Sequence, residues 1–357
     1  MDSQQTRSLR VPIWGLFIIA VIAVLYIAQS VFIPIFMATL IAFLLTPPVS
    51  LLAKYHIPRS IGSAIVIVLS SLLIGTLSSY MAEPVGEWVE RLPNEIQQIE
   101  RKLSPFKDSI ESVQETTQKV EEMASISDDS QAAQPDVVVK GPNIFYILVD
   151  GTQAFLIGVL SFVVLLYFML AFGHTLILRT SLLFEDKGYQ SQILKIARDV
   201  QYKLSRYLLL ITALNLVLGA AVTLVMWLLD MPTPIVWGAS AAFLNYIPYV
   251  GPAINLGVIT LVSLQTFDSL AQVILPPALL LGLNLLEGQF LQPMFIGRMF
   301  TINPVLIFIS VLIWGWLWGM AGIFLAVPLL VIMNIILEKN DFQAASQTKH
   351  ISRKKRT

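Results

Sequence analysis

The sequence predicts an all-α, polytopic integral membrane protein. It has about eight membrane segments, two re-entrant helical hairpins in its C-terminal half, and an amphipathic helical insertion outside the membrane. Three observations carry this expectation. Of the 357 residues, 56% are hydrophobic and only 13% charged, which is about half the charge density of a soluble protein. The mean hydropathy is +0.74. Uncharged runs occupy 11–53, 60–82, 151–178, 207–229, 231–267, 269–286 and 299–337, and about 20 apolar residues suffice to cross the hydrocarbon core.

The first run is long enough for two spans, near 12–30 and 33–52, with a tight turn near Gln29–Pro34. Its apolar stretch is too long for a cleavable signal, and a second span follows at once. The third span covers 60–82. Residues 83–150 then carry fourteen acidic and six basic side chains. Within them Val85, Trp88, Leu92, Ile96, Ile99 and Leu103 recur at spacings of three and four, and Phe106, Ile110, Val113, Thr117, Val120 and Met123 continue the pattern beyond Pro105. That periodicity predicts amphipathic helices, followed by a flexible Ser-, Asp-, Ala- and Gln-rich loop over 124–142.

A fourth span near 153–172 returns the chain to the side it started from. Ile193, Ile196, Ala197, Val200 and Leu204 then line one face of a helix whose other face bears Lys195, Arg198, Asp199 and Lys203. Such a helix is expected to lie at the membrane interface. The fifth span is 207–229. Arg7, Arg10, Lys54 and Arg59, six bases in 173–206 and six in 338–357 all fall on one side. The positive-inside rule makes that side the cytoplasm. Both termini are then cytoplasmic and 83–150 lies outside. The chain divides into N-terminal spans 1–82, the insertion 83–150, a fourth span and interfacial helix 151–206, a transport core 207–337 and a basic tail 338–357.

Two runs have the wrong length. Residues 231–267 are 37 uncharged positions with IPYVGP at the centre, and 299–337 are 39 with WGWLWGMAG at the centre. Either number is long for one span and short for two with a loop. Proline removes a backbone donor and breaks a helix interior, and non-helical backbone at membrane depth survives only where protein buries it or water solvates it. Each run is drawn either as one kinked span or as a hairpin whose tip stops inside the protein. The hairpin reading, over 233–267 and 304–337 with tips approaching one another, also puts Arg298 on the cytoplasmic side. Broken helices at mid-membrane present half-helix ends and bare backbone groups to polar ligands. Asn245, Pro248, Tyr249, Gly251 and Pro252 are therefore candidate site residues, and carbonyls freed by Pro248 and Pro252 are candidate cation ligands. Gly251 is expected to face the site rather than a helix contact.

Between 207 and 337 the charged residues are Asp230, Asp268, Glu287 and Arg298. Asp230 and Asp268 bracket the first broken run. Glu287 lies within a span, one helical turn after Asn284, where a carboxylate is costly and commonly faces a pathway; the alternative is an interfacial carboxylate with structural hydrogen bonds. The chain has no cysteine and only three scattered histidines, and it contains no phosphate loop or dinucleotide fingerprint. Neither a cofactor, a metal, a nucleic-acid partner nor an enzymatic activity is expected. The expected partners are the lipid bilayer and a small-molecule or ion substrate.

Three stretches, FLNYIPYVGPAI, EGQFLQPMFIGR and NPVLIFISVLIWGWLWGMAGIFLAVPL, occur in an order and spacing that resembles the signature of the autoinducer-2 exporter family of bacterial membrane transporters. The resemblance is strongest in the C-terminal half, and YKLSRYLLLITALN departs from it. It implies eight membrane segments with two hairpins, a homopentamer in the cytoplasmic membrane and an elevator-like motion. By the same resemblance, Pro248, Gly251, Pro252, Glu287, Pro293, Gly297, Pro304, Gly319, Gly322 and Pro328 are motif positions. The implied activity is export of autoinducer-2, with sodium or lithium/proton antiport as the alternative. Neutral polar groups (Asn245, Tyr249, Asn284, Gln289) suit an uncharged hydroxylated solute, whereas antiport requires Glu287 to titrate. A membrane scaffold acting through the acidic insertion is the non-transport alternative.

Overall fold

A computed structural model describes the backbone of residues 3–88, 90, 144–296 and 303–354 and the side chains of 12–88, 90, 156–295 and 303–337. Most of the insertion (91–143) and Arg298 lie outside the described residues. All regular structure among the described residues is helical. The helices are α1 (Ser3–Ile27), α2 (Gln29–Lys54), α3 (Arg59–Trp88), α4 (Ile144–Ser181), α5 (Lys187–Leu228), α6 (Pro234–Leu244), α7 (Val250–Thr266), α8 (Leu270–Leu286), α9 (Gln292–Ile296) and α10 (Pro304–Lys354). A π-helical turn, Glu287–Leu291, joins α8 to α9.

Six segments among the described residues are long and apolar enough to cross a membrane: Gln29–Lys54, Arg59–Trp88, Leu156–Ser181, Lys187–Leu228, Leu270–Phe295 and Pro304–Leu337. The first uncharged run breaks at Ala28, whose φ of −95° and ψ of 23° interrupt the helix for one residue. That is earlier and tighter than the turn expected over Gln29–Pro34. The basic amphipathic stretch is also not a separate interfacial helix. Residues 187–228 form one helix of 42 residues, about 63 Å at 1.5 Å per residue against a hydrocarbon core of about 30 Å. Asp186 caps its start, accepting from Gly188 N at 2.6 Å, and no proline or glycine pair follows to stop the turn-by-turn propagation.

Packing follows small residues. Ala38 and Ala42 of α2, four apart on one face, are buried with Val49 against Val66 and Ile67 of α3 and Leu166 and Leu170 of α4. Without a hydrophobic force between helices in lipid, such small residues permit the close approach that makes van der Waals packing sufficient. Leu204 and Leu208 of α5 pack with Val327, Val331 and Ile335 of α10. The largest buried cluster joins Leu218, Val222 and Met226 of α5 to Val236, Trp237 and Ala241 of α6, Ile259 and Val262 of α7 and Leu280 of α8. Here α5 and α6 cross at two glycines. A Cβ on Gly219 would lie 2.7 Å from Gly238 O, and one on Gly238 would overlap Thr223 Oγ1.

Both over-long runs fold back on themselves. Ser240 Oγ of α6 donates to Asn255 Oδ1 of α7 at 2.9 Å; fifteen residues of straight helix would separate them by about 22 Å. Ser310 Oγ donates to Ala326 O at 2.9 Å, so the chain of α10 reverses as well. The reversal is at Gly319, with φ of 60° and ψ of −139°, a backbone region essentially closed to residues with a Cβ. The Pro304–Leu337 segment therefore reaches spanning length only when both of its arms are counted. Asp230 and Asp268 are exposed at the base of the first reversal, where Ser263 Oγ donates to Met231 Sδ at 3.9 Å.

Candidate functional site: the first helix reversal and the α8 break

The tip of the first reversal spans 245–249. Proline at 248 cannot donate to Leu244 O, and proline at 252 cannot donate to Pro248 O, which is why the sequence led to the expectation of two free carbonyls. The fold captures both. Ile247 N donates to Leu244 O at 2.9 Å and Val250 N donates to Pro248 O at 2.7 Å. Each carbonyl keeps a second lone pair, but neither is bare. Tyr249 closes the turn at φ 64° and ψ −50° and is 57% exposed. Such a positive φ is unusual for a bulky residue.

Gly251 corrects another expectation. It is buried, its N–H donates to Ile247 O at 3.0 Å, and a Cβ there would overlap Leu244 O. It faces the opposite arm of its own hairpin, not an open site. Gly322 does the same in the second reversal, where a Cβ would overlap Trp314 O. The two reversals touch through Phe243 and Phe324, whose ring centroids are 5.2 Å apart.

Asn245 caps α6 and turns its side chain toward α5. Its Nδ2 donates to Asn215 Oδ1 at 2.9 Å, and next to it Tyr246 OH donates to Thr212 Oγ1 at 2.7 Å. Asn215 is 2% exposed, and its own Nδ2 finds no acceptor among the described residues. A buried unpaired amide donor costs about 1–3 kcal/mol, so this group calls for an acceptor. Sequence reading passed over Thr212, Asn215, Ser240 and Asn255. The signal available was weak: single neutral polar residues within apolar helices, each ordinary alone.

Glu287 is 4% exposed and opens the π turn. Gln292 Nε2 donates to its Oε1 at 2.9 Å. The expected neighbour Asn284 contributes its backbone carbonyl to the Glu287 N–H, while Gln292 reaches the carboxylate. The i, i+5 spacing works because a π turn adds a residue to the ring, and such bulges recur at functional sites. Gln289 is exposed. Gly319 and Gly322 belong to the second tip, so the candidate residues form two neighbouring tips plus a separate buried carboxylate in the π turn after α8. Gly297 lies outside the described residues.

The tips present neutral polar side chains, and among the described residues nothing in them assembles a nucleophile with a base. Among the described residues no cluster of three metal-ligating side chains occurs. A family profile described as "AI-2E family transporter" matches residues 16–340. The chain is 26% identical over 314 residues to the AI-2 transport protein TqsA of Escherichia coli strain K12, covering 87% of each chain. It is 25% identical over 322 residues to the putative transport protein YhhT of the same organism, covering 90% of this chain and 88% of the relative. It is 25% identical over 350 residues to the putative transport protein YueF of Bacillus subtilis strain 168, covering 91% and 92%. With a match over most of its length and several helices among the described residues long and apolar enough to cross a membrane, the chain belongs to the AI-2E family of multi-pass membrane transporters, which are transport proteins and not enzymes.

Proposed function

We propose that this protein exports a small, polar, uncharged organic solute such as autoinducer-2 across the bacterial cytoplasmic membrane, by an elevator-like movement of the two helix reversals. The observation that carries the reading is the buried Asn215 Nδ2, an unpaired donor beside the Asn245 amide and the Tyr246–Thr212 pair. A carbonyl- or hydroxyl-bearing solute supplies the missing acceptor without bringing a charge into a low-dielectric site. The reading takes the reversals as re-entrant. In support, α6 has 11 residues, about 16 Å of helix, roughly half of the hydrocarbon core. It also takes the termini as cytoplasmic and the assembly as a homopentamer.

The test is efflux from proteoliposomes loaded with autoinducer-2. Asn215→Ala is expected to slow efflux at least tenfold at normal protein levels, whereas Asn215→Asp is expected to slow it and add an unwanted charge preference. Unchanged efflux in the alanine variant removes the amide pair from the site.

The second reading is Na⁺(Li⁺)/H⁺ antiport. It rests on the 4% exposure of Glu287 at a π turn, a setting in which a carboxylate is costly unless it is used. Glu287→Gln keeps the shape and loses the proton. Autoinducer-2 efflux from the Gln variant at wild-type rate, with no Na⁺-driven proton movement in wild type, supports export. Loss of ion-driven proton movement in that variant assigns antiport.

A further inference from the structure

A cavity of about 260 Å³ lies away from both helix reversals, between the second half of α2, the start of α3, the last third of α4 and Gln201 of α5. Its polar wall is Thr39, Thr46, Ser50, Arg59, His174 and Gln201, over an apolar floor that includes the buried Ala42, Val49 and Leu170. A gap left by imperfect packing between membrane helices would be lined by aliphatic groups. This one collects an arginine, a histidine, an amide and three hydroxyls.

The hydroxyl chemistry is already set. Thr39 Oγ1 donates to Ile35 O at 2.7 Å, Thr46 Oγ1 to Ala42 O at 2.6 Å and Ser50 Oγ to Pro47 O at 2.7 Å. Their hydrogens are committed, so toward the cavity they offer lone pairs only. Spacings of seven and four put the three oxygens on one face of α2. Arg59 is the opposite case: its guanidinium has five donors and no acceptor, in a fork that matches phosphate oxygens. A ligand that satisfies both must carry an anionic oxygen cluster and, beside it, hydroxyl donors.

We propose that this cavity binds a glycerol-phosphate group, with the phosphate on Arg59 and its two free glycerol hydroxyls donating to Thr46 and Ser50, which lie one turn apart on α2. The volume is several times the about 30 Å³ share of one water and lies just under the range of drug-sized pockets, about 300–1,000 Å³. It suits one small polar group. The site sits at the end of the helices where Lys54 closes α2 and Arg179 closes α4, and basic ends of this kind face anionic headgroups. The same chemistry reaches the cavity either as the headgroup of phosphatidylglycerol or as free glycerol phosphate. The inference is independent of what the transporter moves.

The experiment is thermal unfolding of the full-length protein in detergent, with short-chain phosphatidylglycerol, short-chain phosphatidylcholine, glycerol 3-phosphate or inorganic phosphate added. Ligand that binds the folded state raises the midpoint. Phosphatidylglycerol is expected to raise it by several degrees in wild type and in Arg198→Gln, a charge control on the exposed side of α5. Arg59→Gln is expected to lose the rise. Thr46→Val is expected to lose most of the glycerol-dependent part while keeping any response to inorganic phosphate. Should Arg59→Gln not fold, Gln201→Leu reads the same wall. An Arg59-dependent rise with glycerol 3-phosphate alone assigns the free solute, and one with phosphatidylglycerol alone assigns the headgroup. An equal rise in wild type and Arg59→Gln, or a rise with phosphatidylcholine as large as with phosphatidylglycerol, overturns the proposal, as does no rise with any phosphate ligand.

Discussion

At the scale of single residues, glycines separate backbone geometry from open space. Gly238 meets Thr223 Oγ1 and Gly219 O at the α5–α6 crossing, whereas Gly257, on α7, has nothing within 4 Å of where its Cβ would stand. Gly238→Ala is expected to cost about 1–3 kcal/mol by overpacking. Gly257→Ala should be neutral or stabilising by up to about 1 kcal/mol, since alanine is the better helix former. Denaturation midpoints of the two purified variants check the pair, and equal midpoints would contradict the crossing. Gly251→Ala behaves like Gly238→Ala, because Leu244 O is backbone and cannot swing away. Its effect on transport therefore reports on the hairpin rather than on a ligand contact.

At the scale of elements, α3 is the strut between the N-terminal spans and the first reversal. Trp88 Nε1 donates to Gln265 Oε1 of α7 at 3.1 Å, and its ring meets Trp237 of α6 edge-on at 6.1 Å. Met81 packs on the same cluster. Trp88→Ala leaves Gln265 without its donor and uncovers Trp237. Hydrogen exchange in α6 and α7 is expected to rise at least tenfold, with exchange in the α2–α4 contact unchanged. A uniform rise across all helices would mean that the strut is part of one cooperative unit. In the second reversal, Gly319→Ala forces a side chain into a backbone region that costs about 1–3 kcal/mol. The Ser310–Ala326 contact is expected to open first, which raises the labelling of a cysteine introduced at the buried Ala326, where the accepting carbonyl and the Ser310 hydroxyl are both kept.

At the scale of the whole molecule, the surface is itself a statement about solvent. Ile13, Trp14, Leu16, Phe17 and Ile19 of α1 are each more than half exposed, and so are Leu69, Leu72, Leu73 and Ile74 of α3. Water would make such surfaces untenable in a monomer, while hydrocarbon makes them ordinary. Because the chain has no cysteine, single replacements map its sides cleanly. Tyr55, after α2, is 74% exposed, and Leu183, after α4, is 81% exposed. One cavity joins residues adjoining both loops, so cysteines at 55 and 183 are expected to label from the same face of the membrane. Labelling from opposite faces would contradict the packing of α2 against α4.

The sequence alone determined that this is a helical membrane protein, that two uncharged runs of 37 and 39 residues carry helix breakers at their centres, and that Glu287 is an isolated acid in an apolar stretch between them. Those properties live in composition, run length and breaker residues, which no neighbour can change. The three C-terminal stretches also sufficed to place the family. Only the tertiary structure decided what the breakers do. Leu244 O and Pro248 O are re-engaged by Ile247 N and Val250 N, Gly251 turns inward, and Gln292 rather than Asn284 meets Glu287. The Asn215–Asn245 pair joins residues 30 positions apart, and the cavity under Arg59 draws on four helices. The physical reason is common to all of these. A freed backbone group or a lone polar side chain takes whichever partner the packed fold brings within about 3 Å, and that partner is fixed by how helices cross, which local pattern does not encode.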